Sequence, residues 1–489
     1  MCGRGPGVCR HAGNPTRKGV NVMEKKKPTL KLALIGTLGV LVILLSCVLL
    51  FKVDVIIALT IGIIYAGIVG RFNGVTLNDL VEGMQEGVAK ALIGLLFFPL
   101  VGAVIGSWLI GGTIPALVYY GLDILNPRFF LISSFIICSA LSLLIGTSWG
   151  TVGTAGLAIA GVAISSDLSI PFGIVAGSII AGAWFGDKMS PISDSTVLSA
   201  TAVETDVYNH IRGMAYTTIP SFIISTIIFG IINFFYAGDA TLNYDVIAPI
   251  KETLAEHFNL SPLVFIPPIV LIILCVLRTH AFISLLGAIA AGSFCSMAVQ
   301  GNTVMDTMAA VMNGLQVETP IAEVNTLLNR GGMNSMMSSM FLCMVAVCMG
   351  GVLTKTQFLH VIIENLAKYM RSTFSLVFTT MVSCLLSNMM FADNYLTMIL
   401  NGNLYRDMYD ERGLDRSMLS RTIEEMATMS VPMIPWTAAA AFLTGTLGIS
   451  VAEYAPYCVL NFVSPVVGLI SAATGIGVLY VKGAKKAKA

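Results

Sequence analysis

Charged residues are scarce in this chain of 489 residues: Asp, Glu, Lys and Arg make up 11% of it, while 56% is hydrophobic. Soluble proteins carry roughly a quarter charged residues, so a soluble enzyme of this size could not cover its surface with so few. The net charge of +1 leaves no strong field of one sign that would favour nucleic acid. The composition therefore predicts a polytopic membrane protein embedded in a lipid bilayer.

The usual signatures of metal, redox and nucleotide chemistry are also missing. The ten cysteines include no Cys-X-X-Cys pair, and most lie in apolar segments, where they are expected as small buried hydrophobes. No Walker loop and no His-Glu-X-X-His motif occurs, which leaves ATP-driven transport and zinc hydrolysis without support. We therefore predict a protein that is not an enzyme and that uses no cofactor.

Apolar segments recur along the whole chain and predict an all-α protein with about 10–12 transmembrane helices. Lysines flank both ends, and residues 402–421 carry four arginines. By the positive-inside bias, both termini and this loop are expected in the cytoplasm. Residues 76–90 are too charged to span a bilayer and suit an interfacial helix.

Changes of composition divide the chain into five predicted segments. A disordered or non-native extension (1–23), a first transmembrane repeat (24–238), a polar linker (239–260), a second repeat (261–482) and a basic cytoplasmic tail (483–489) follow one another. A shift of 244 positions places Pro191 on Pro435 and the stretch around Trp149 near Asp393. Matching interruptions predict two structural repeats with discontinuous helices, as in many secondary transporters.

A stretch rich in glycine and hydroxyl residues, 146–154, interrupts an apolar run. Broken backbone inside a membrane is tolerated only where it is buried in protein or lines a cavity. Hydroxyls of Ser148 and Thr151 and freed carbonyls could bind a small hard cation, while Gly150 allows close backbone approach. The alternative is a close-packed helix crossing, with each hydroxyl bonded to the carbonyl four residues earlier.

Three charges arrive together at Asp187, Lys188 and Asp194, after a long segment that is almost free of charge. A charge deep in a bilayer costs about 3 kcal/mol or more unless it faces a cavity or a partner. The two carboxylates predict an oxygen cage for Na⁺ that can hold a proton instead, with Lys188 as a charge partner. The alternative places the motif at an interface, where Lys188 neutralises an acid.

The same segment predicts a break in its helix, because Pro191 cannot continue one. Gly186 is expected to contribute to this break, and Ser190 and Ser193 add hydroxyl oxygens beside the carboxylates.

In the second half, Asp393 is the one charge between residues 372 and 405. With Asn394 as a further oxygen donor, it predicts a second part of the ion site, and the alternative is an acid retained for packing specificity. Pro435 predicts another helix break. Glu424 and Glu425 could extend an acidic pathway, but they stand beside Arg421 near a predicted cytoplasmic end and are left outside the predicted site.

Several of these strings resemble the signature segments of the NhaC-type sodium/proton antiporter family. They are GTSWGTVGT (146–154), GDKMSPISDST (186–196), FADNYLTMILNG (391–402), LSRTIEE (419–425) and VPMIPW (431–436). The resemblance covers nearly all of the chain from about residue 30 to residue 480. It implies Na⁺/H⁺ exchange in a prokaryotic plasma membrane. Its functional positions carry over to the following residues: Ser148, Trp149, Thr151, Asp187, Asp194, Asp393 and Asn394. Family members favour Thr and Gln where this chain has Ser195 and Asn394, which puts ion selectivity in question.

We therefore predict a secondary antiporter in which Asp194 and Asp393 share one site for Na⁺ or H⁺. The alternative is a Na⁺- or H⁺-coupled exchanger of small organic acids, of the malate/lactate type, or of amino acids. An intramembrane hydrolase with paired aspartates lacks its motifs here, and nothing resembles the selectivity filter of a channel. A homo-oligomer is compatible with the sequence.

Overall fold

A computed structural model of the chain describes residues 27–481, apart from 125–126, 166–169, 192, 238–243, 278, 280, 322–323, 326–327, 330, 368–369 and 371. The predicted extension 1–23 and the predicted tail 483–489 lie outside the described residues.

The described chain is helical, and its one β feature is an isolated bridge between Leu414 and Tyr480. Twenty-two α-helices follow in chain order: α1 Leu30–Leu45, α2 Val55–Arg71, α3 Leu77–Ile110, α4 Thr113–Ile124, α5 Phe130–Ile145, α6 Ser148–Thr151, α7 Leu157–Ser165, α8 Phe172–Met189, α9 Asp194–Ala202, α10 Val207–Ala237, α11 Tyr244–His257, α12 Ile266–Val276, α13 Ala281–Ala298, α14 Val304–Asn313, α15 Met337–Thr356, α16 Phe358–Ala367, α17 Thr373–Phe391, α18 Asn394–Glu411, α19 Arg416–Ser430, α20 Ala438–Leu447, α21 Val451–Tyr454 and α22 Val459–Thr474.

By length and composition, four of these helices can cross a membrane, or up to eight if each of four bent pairs counts as one span. Four shorter apolar helices have 10–17 residues. The prediction of an all-α polytopic membrane protein is confirmed, while the number of 10–12 crossings stays a prediction. The predicted interfacial helix 76–90 forms the first part of α3, which bends by 44° between Leu77–Leu92 and Gly94–Ile110. Part of the predicted linker forms α11.

Each half of the chain contains a broken helical hairpin. In the first, α5 ends at Gly146 with a φ of 76° and Thr147 starts α6, which continues through a wide turn at Val152–Gly156 into α7. In the second, α17 ends at Ala392 with a φ of 55° and Asp393 caps α18. A left-handed residue followed by an extended N-cap reverses the chain direction in both places.

The two arms of the second hairpin run antiparallel and are held together by polar side chains. Ser383 and Ser387 of α17 both hydrogen-bond to Asn401 of α18. Nearer the open end, Tyr409 donates to the Thr380 hydroxyl at 3.4 Å. A residue farther from the break on α17 pairs with one farther from the break on α18. This order requires that the chain reverse its direction at the break.

Corresponding hydrogen bonds tie each hairpin to the helix that follows it. In the first half, Ser142 Oγ donates to the Ala183 carbonyl at 2.6 Å. In the second half, Asn388 Nδ2 donates to the Ala427 carbonyl at 2.7 Å. The donors are 246 positions apart and the acceptors 244, close to the shift that aligns the two halves. A repeat relating the whole of both halves stays a prediction.

Gly186 does not lie in the helix break, where the sequence analysis placed it, but inside the last turns of α8. A Cβ atom on Gly186 would lie 2.3 Å from the Leu143 backbone nitrogen of α5. Because α5 and α8 touch through their backbones here, the position requires glycine for packing rather than for flexibility.

We expect Gly186→Ala to lower the thermal stability of the purified protein, because overpacking costs about 1–3 kcal/mol and the clash is with backbone. The matched control is Gly62→Ala in α2, whose added Cβ would make an ordinary contact with Met349 Sδ at 3.5 Å. The apparent Tm, followed by size-exclusion chromatography after heating, should fall for the first variant and not for the second. Equal Tm values would show that α5 and α8 are farther apart.

Candidate functional site

Two of the helix breaks meet at the carboxylate of Asp187, which is 6% exposed on the last turn of α8. Its Oδ2 accepts a hydrogen bond from Ser148 Oγ at 2.8 Å, and its Oδ1 accepts one from Ser193 Oγ at 2.6 Å. Ser148 begins α6 beyond the first break, and Ser193 precedes α9 in the second break. Both serine hydroxyls therefore converge on one buried acid, surrounding it with oxygen atoms.

A chain of hydroxyls joins Asp187 to an acid from the second half of the protein. Ser193 Oγ lies 3.1 Å from Ser195 Oγ, and Ser195 Oγ donates to Glu424 Oε1 at 3.0 Å. Thr428 Oγ1 donates to the same Glu424 oxygen at 2.8 Å. Glu424 is fully buried on α19. Two carboxylates from different halves are thus linked through two serine side chains.

Buried cations complete this cluster. Lys188 is fully buried, its Nζ donates to Ser464 Oγ at 2.6 Å, and its nearest charges belong to Glu425, Glu424 and Arg421. Arg421 Nε lies 4.0 Å from Glu425 Oε1, with both side chains buried.

The buried cluster contains Asp187, Glu424 and Glu425 as acids and Lys188 and Arg421 as cations. With all five groups ionised, one negative charge is left without compensation. An uncompensated charge in a low-dielectric interior is costly, and a single bound monovalent cation removes the imbalance. The arrangement can therefore alternate chemically between a bound proton and a bound metal cation.

Asp194 lies at the exposed edge of this cluster, where its charge still interacts with that of Asp187. It is exposed at the start of α9, and its Oδ2 accepts a hydrogen bond from the Tyr395 hydroxyl at 2.6 Å. Tyr395 belongs to α18 and interacts electrostatically with Asp187, Asp194 and Asp393. The tyrosine, which the sequence analysis did not single out, therefore links the three predicted acids.

Asp393 has a local structural role in addition to its charge. It is the N-cap of α18, where its Oδ1 accepts a hydrogen bond from the Leu396 backbone nitrogen at 2.9 Å. Thr147 caps α6 in the same way at the corresponding break of the first half. Asp393 and the adjacent Asn394 are both half-buried. The structure thus brings Asp393 near Tyr395 but gives it no direct contact with Asp194 among the described hydrogen bonds.

The remaining predicted residues differ in their surroundings. Thr151 Oγ1 donates to the Thr147 carbonyl at 2.9 Å, which is the back-bonded arrangement that the sequence analysis kept as the alternative. Ser190 Oγ is buried and has no hydrogen-bond partner in the described part of the chain. Gly150 lies inside α6, Pro191 is exposed in the second break, and Pro435 lies between α19 and α20.

Three of the last four carbonyls of α19, next to the Pro435 break, accept hydrogen bonds from side chains. Asn388, Trp184 and Asn461 donate to the carbonyls of residues 427, 428 and 429 at 2.7, 2.9 and 2.8 Å. Helix ends normally leave such carbonyls without partners. Since these three have donors, this break supplies few oxygens to an ion, and Asp187 is the better site.

Sequence reasoning missed Glu424 and Glu425 as buried acids. Arg421 and the arginine-rich loop before them suggested a cytoplasmic end, but α19 runs into the protein and all three residues are buried. The spacing of four between Arg421 and Glu425, which pairs side chains on one helix face, was the available signal. In the described part of the chain no three His, Cys, Asp or Glu side chains form a metal-ion group.

The chain is similar over nearly its whole length to known antiporters. The model of a family described as the Na⁺/H⁺ antiporter family matches residues 22–212 and 182–476. A malate-2H⁺/Na⁺-lactate antiporter of Bacillus subtilis is 35% identical over 94% of this chain and 97% of its own length. A Na⁺/H⁺ antiporter NhaC of Alkalihalophilus pseudofirmus is 34% identical over 93% and 98%. An arginine/ornithine antiporter of Halobacterium salinarum is 31% identical over 92% and 93%. The chain belongs to the Na⁺/H⁺ antiporter family.

Proposed function

We propose that this membrane protein exchanges Na⁺ for H⁺, and that Asp187 is the carboxylate for which the two ions compete. Membership of the Na⁺/H⁺ antiporter family supports the exchange itself. The observation that carries the site is the buried Asp187 carboxylate, which two serines contact from two helix breaks. An acid in this position holds either a proton or a cation, so neither ion needs a separate site.

The serine hydroxyls suit both states of the exchange. A hydroxyl has one donor and two acceptor positions, so Ser148 and Ser193 can donate to an ionised Asp187 or turn their oxygens toward Na⁺. Small hard cations prefer such oxygen ligands. Binding Na⁺ displaces the proton and binding the proton displaces Na⁺, which couples the two fluxes without a covalent step.

We place Asp194 and Asp393 at the approach to this site rather than at its centre. Asp194 is exposed and bonded to Tyr395, and Asp393 is half-buried on the same hairpin as Tyr395. Negative charges at the mouth of a cleft raise the local concentration of cations. This assignment replaces the shared site of Asp194 and Asp393 that the sequence predicted with a path leading to Asp187.

Substitutions at Asp393 separate its charge from its role as a helix cap. Asparagine caps helices about as well as aspartate, so Asp393→Asn should keep wild-type stability and lower only the apparent Na⁺ affinity, by several-fold. Asp393→Ala should lose about 1 kcal/mol of stability as well. Na⁺-concentration series in everted vesicles and heating of the purified variants provide the two readouts. Wild-type Na⁺ affinity in Asp393→Asn would remove this residue from the path.

Reconstituted protein provides the direct test of the exchange. In proteoliposomes with an imposed pH gradient, we expect saturable uptake of ²²Na⁺ that collapses when a protonophore dissipates the gradient. Liposomes without protein, under the same gradient, are the control. Na⁺ uptake at a rate independent of the pH gradient would exclude the proposed antiport.

Exchange of a small organic anion is the second candidate, favoured by one specific observation. Lys188 is a fully buried cation beside Ser464, and such a pair can bind a carboxylate. A relative covering almost the whole chain is a malate-2H⁺/Na⁺-lactate antiporter. Counterflow of labelled malate or lactate in the same proteoliposomes distinguishes the two functions, because a Na⁺/H⁺ exchanger alone gives none.

We also propose that both termini lie in the cytoplasm, as the lysine and arginine distribution predicts. Three hydrogen bonds support the placement of the segments next to both termini on the same side of the membrane. Lys27 Nζ donates to Glu364 Oε1 at 2.7 Å, and Val481 N donates to the Gly413 carbonyl at 2.9 Å. Arg412 Nη2 connects these regions by donating to the Met370 carbonyl at 2.7 Å. The hydrogen bond from Lys27 lowers the pKa of Glu364 and keeps that pair ionised. The two ends of the described chain thus contact α16, which precedes the second hairpin, and Gly413, which follows it.

A further inference from the structure

An apolar cavity of about 400 Å³ lies between the two arms of the first hairpin. Ile137 and Leu141 of α5 line one wall, and Ala158 and Val162 of α7 line the other, while α4 and α12 close the sides. The cavity is well within the size that holds ligands, roughly 300–1,000 Å³. Two lining residues carry hydroxyls, and both hydroxyls already have acceptors: Thr154 donates to the Gly150 carbonyl at 2.7 Å and Tyr120 to the Leu260 carbonyl at 3.1 Å. An occupant must therefore be apolar.

The cavity opens toward the bilayer rather than toward water. Ile137 of α5 and Ile272 of α12 line it and are exposed at its mouth. Both residues lie in apolar helices, so the medium outside the mouth is lipid hydrocarbon. Acyl chains are consequently the apolar molecules that reach this opening at the highest concentration.

One end of the cavity lies at the level of the membrane surface. The helix Ala248–His257 makes an angle of 93° with Pro262–Leu274, so it runs along the surface where the following helix enters the membrane. Lys251 Nζ of this surface helix lies 4.3 Å from the centre of the Tyr119 ring. The neighbouring Tyr120 lines the cavity and donates to the Leu260 carbonyl at 3.1 Å. Tyrosines and a lysine at this level are typical of the zone of lipid headgroups.

The arms of the second hairpin are held together by polar side chains. Its arms are joined by Ser383, Ser387 and Asn401, and farther out by Thr380 and Tyr409. No side-chain cross-link of this kind is described between the arms of the first hairpin, whose lining residues at the cavity are mainly apolar. If the space between these arms were empty, the lining side chains would lose dispersion contacts. A lipid chain is as apolar as the surrounding leucines and can supply those contacts.

We infer that this cavity binds one acyl chain of a bilayer phospholipid, with its headgroup beside α11 and its chain between α5 and α7. The lipid replaces the polar cross-links that the second hairpin has, and it holds the arms of the first hairpin at their observed separation. This inference is independent of the transported ion, because the cavity shares no residue with the cluster around Asp187.

Brominated lipids provide the test, because bromine quenches tryptophan fluorescence at short range. Trp108 lines the cavity but is only 1% exposed. The full-length protein is reconstituted in phosphatidylcholine with or without bromine on the acyl chains, and subtracting the signal of Trp108→Phe isolates this indole. We expect brominated chains to reduce the Trp108 emission about twofold or more.

Ala158→Phe fills the cavity and should abolish the quenching of Trp108. The matched control is Ile136→Phe, which places the same ring on an exposed position of α5 next to the cavity mouth and should leave the quenching unchanged. Quenching that is equal in both variants, or absent from the wild type, would overturn the inference.

A second measurement does not depend on the Trp108 variant. After an extended detergent wash, native mass spectrometry should find one more retained phospholipid per chain in the wild type and in Ile136→Phe than in Ala158→Phe. Equal retention in all three proteins would contradict a bound lipid chain.

Discussion

Replacing Asp187 by asparagine is expected to abolish Na⁺-driven proton movement while the protein stays folded. The amide keeps the size of the carboxylate and can still hydrogen-bond to Ser148 and Ser193. It carries no charge, so it neither binds nor releases a proton and attracts Na⁺ only weakly. Losing a buried charged partner costs about 2–5 kcal/mol, and each 1.4 kcal/mol is tenfold. The exchange rate at limiting Na⁺ should therefore fall about 30- to 4,000-fold.

The measurement is dequenching of a pH-sensitive dye in everted vesicles on addition of Na⁺, with protein amounts matched by immunoblot. Asp306→Asn is the control, because Asp306 is an exposed acid in the capping box of α14, outside the buried cluster. Its exchange rate should equal that of the wild type. Substantial Na⁺-dependent proton movement in Asp187→Asn would place the shared site elsewhere, and Asp194 and Asp393 would then be the next acids to test.

Replacing Lys188 by methionine is expected to have the largest effect on stability. Lys188 is fully buried among Glu424, Glu425 and Arg421. Removing one partner of a buried charge group leaves the others uncompensated, which costs about 3–5 kcal/mol. The apparent Tm of the purified protein should fall sharply, and the yield of folded protein with it.

A second substitution distinguishes charge from packing at this position. Glu425→Gln removes one acid, so Lys188→Met with Glu425→Gln restores the original net charge of the cluster and should recover most of the lost stability. Lys355→Met is the surface comparison: Lys355 pairs with Glu86 at 2.7 Å but is 21% exposed, and such pairs contribute about 0–1 kcal/mol. If the double variant were no more stable than Lys188→Met alone, the role of Lys188 would be packing or its bond to Ser464.

The helix breaks could be predicted from the sequence because local residues encode them. Gly146 takes up a left-handed conformation and Pro191 cannot continue a helix, and both effects act within a few residues of the chain. Asp187, Ser148 and Ser193 lie at or beside these breaks, so the sequence singled them out as candidate site residues. What could not be predicted is that Ser148, 39 positions away, contacts Asp187, because that pairing depends on how α5 packs on α8.

The partner from the second half was missed for a different physical reason. Glu424 follows an arginine-rich loop, and the charge rule for membrane topology places such residues at a water-exposed end. In the fold, the Arg421 guanidinium donates instead to the carbonyls of Gly213 and Gly477. These contacts come from distant parts of the chain, and they allow α19 to carry two acids into the interior. The packing role of Gly186 could not be predicted for the same reason, because its neighbour Leu143 lies on another helix.

The side-chain donors at the end of α19 determine which helices can move. Trp184, Asn388 and Asn461 belong to α8, α17 and α22, and each satisfies one of three consecutive carbonyls. Pulling any one of these helices away would leave a carbonyl without a donor inside the membrane, at a cost of several kcal/mol. The helices α8, α17, α19 and α22 are therefore expected to move as one rigid body during transport. The stacked rings of Trp149 and Phe442, 4.6 Å apart, join α6 to α20 by an apolar contact instead, and such a contact can slide without the loss of a hydrogen bond.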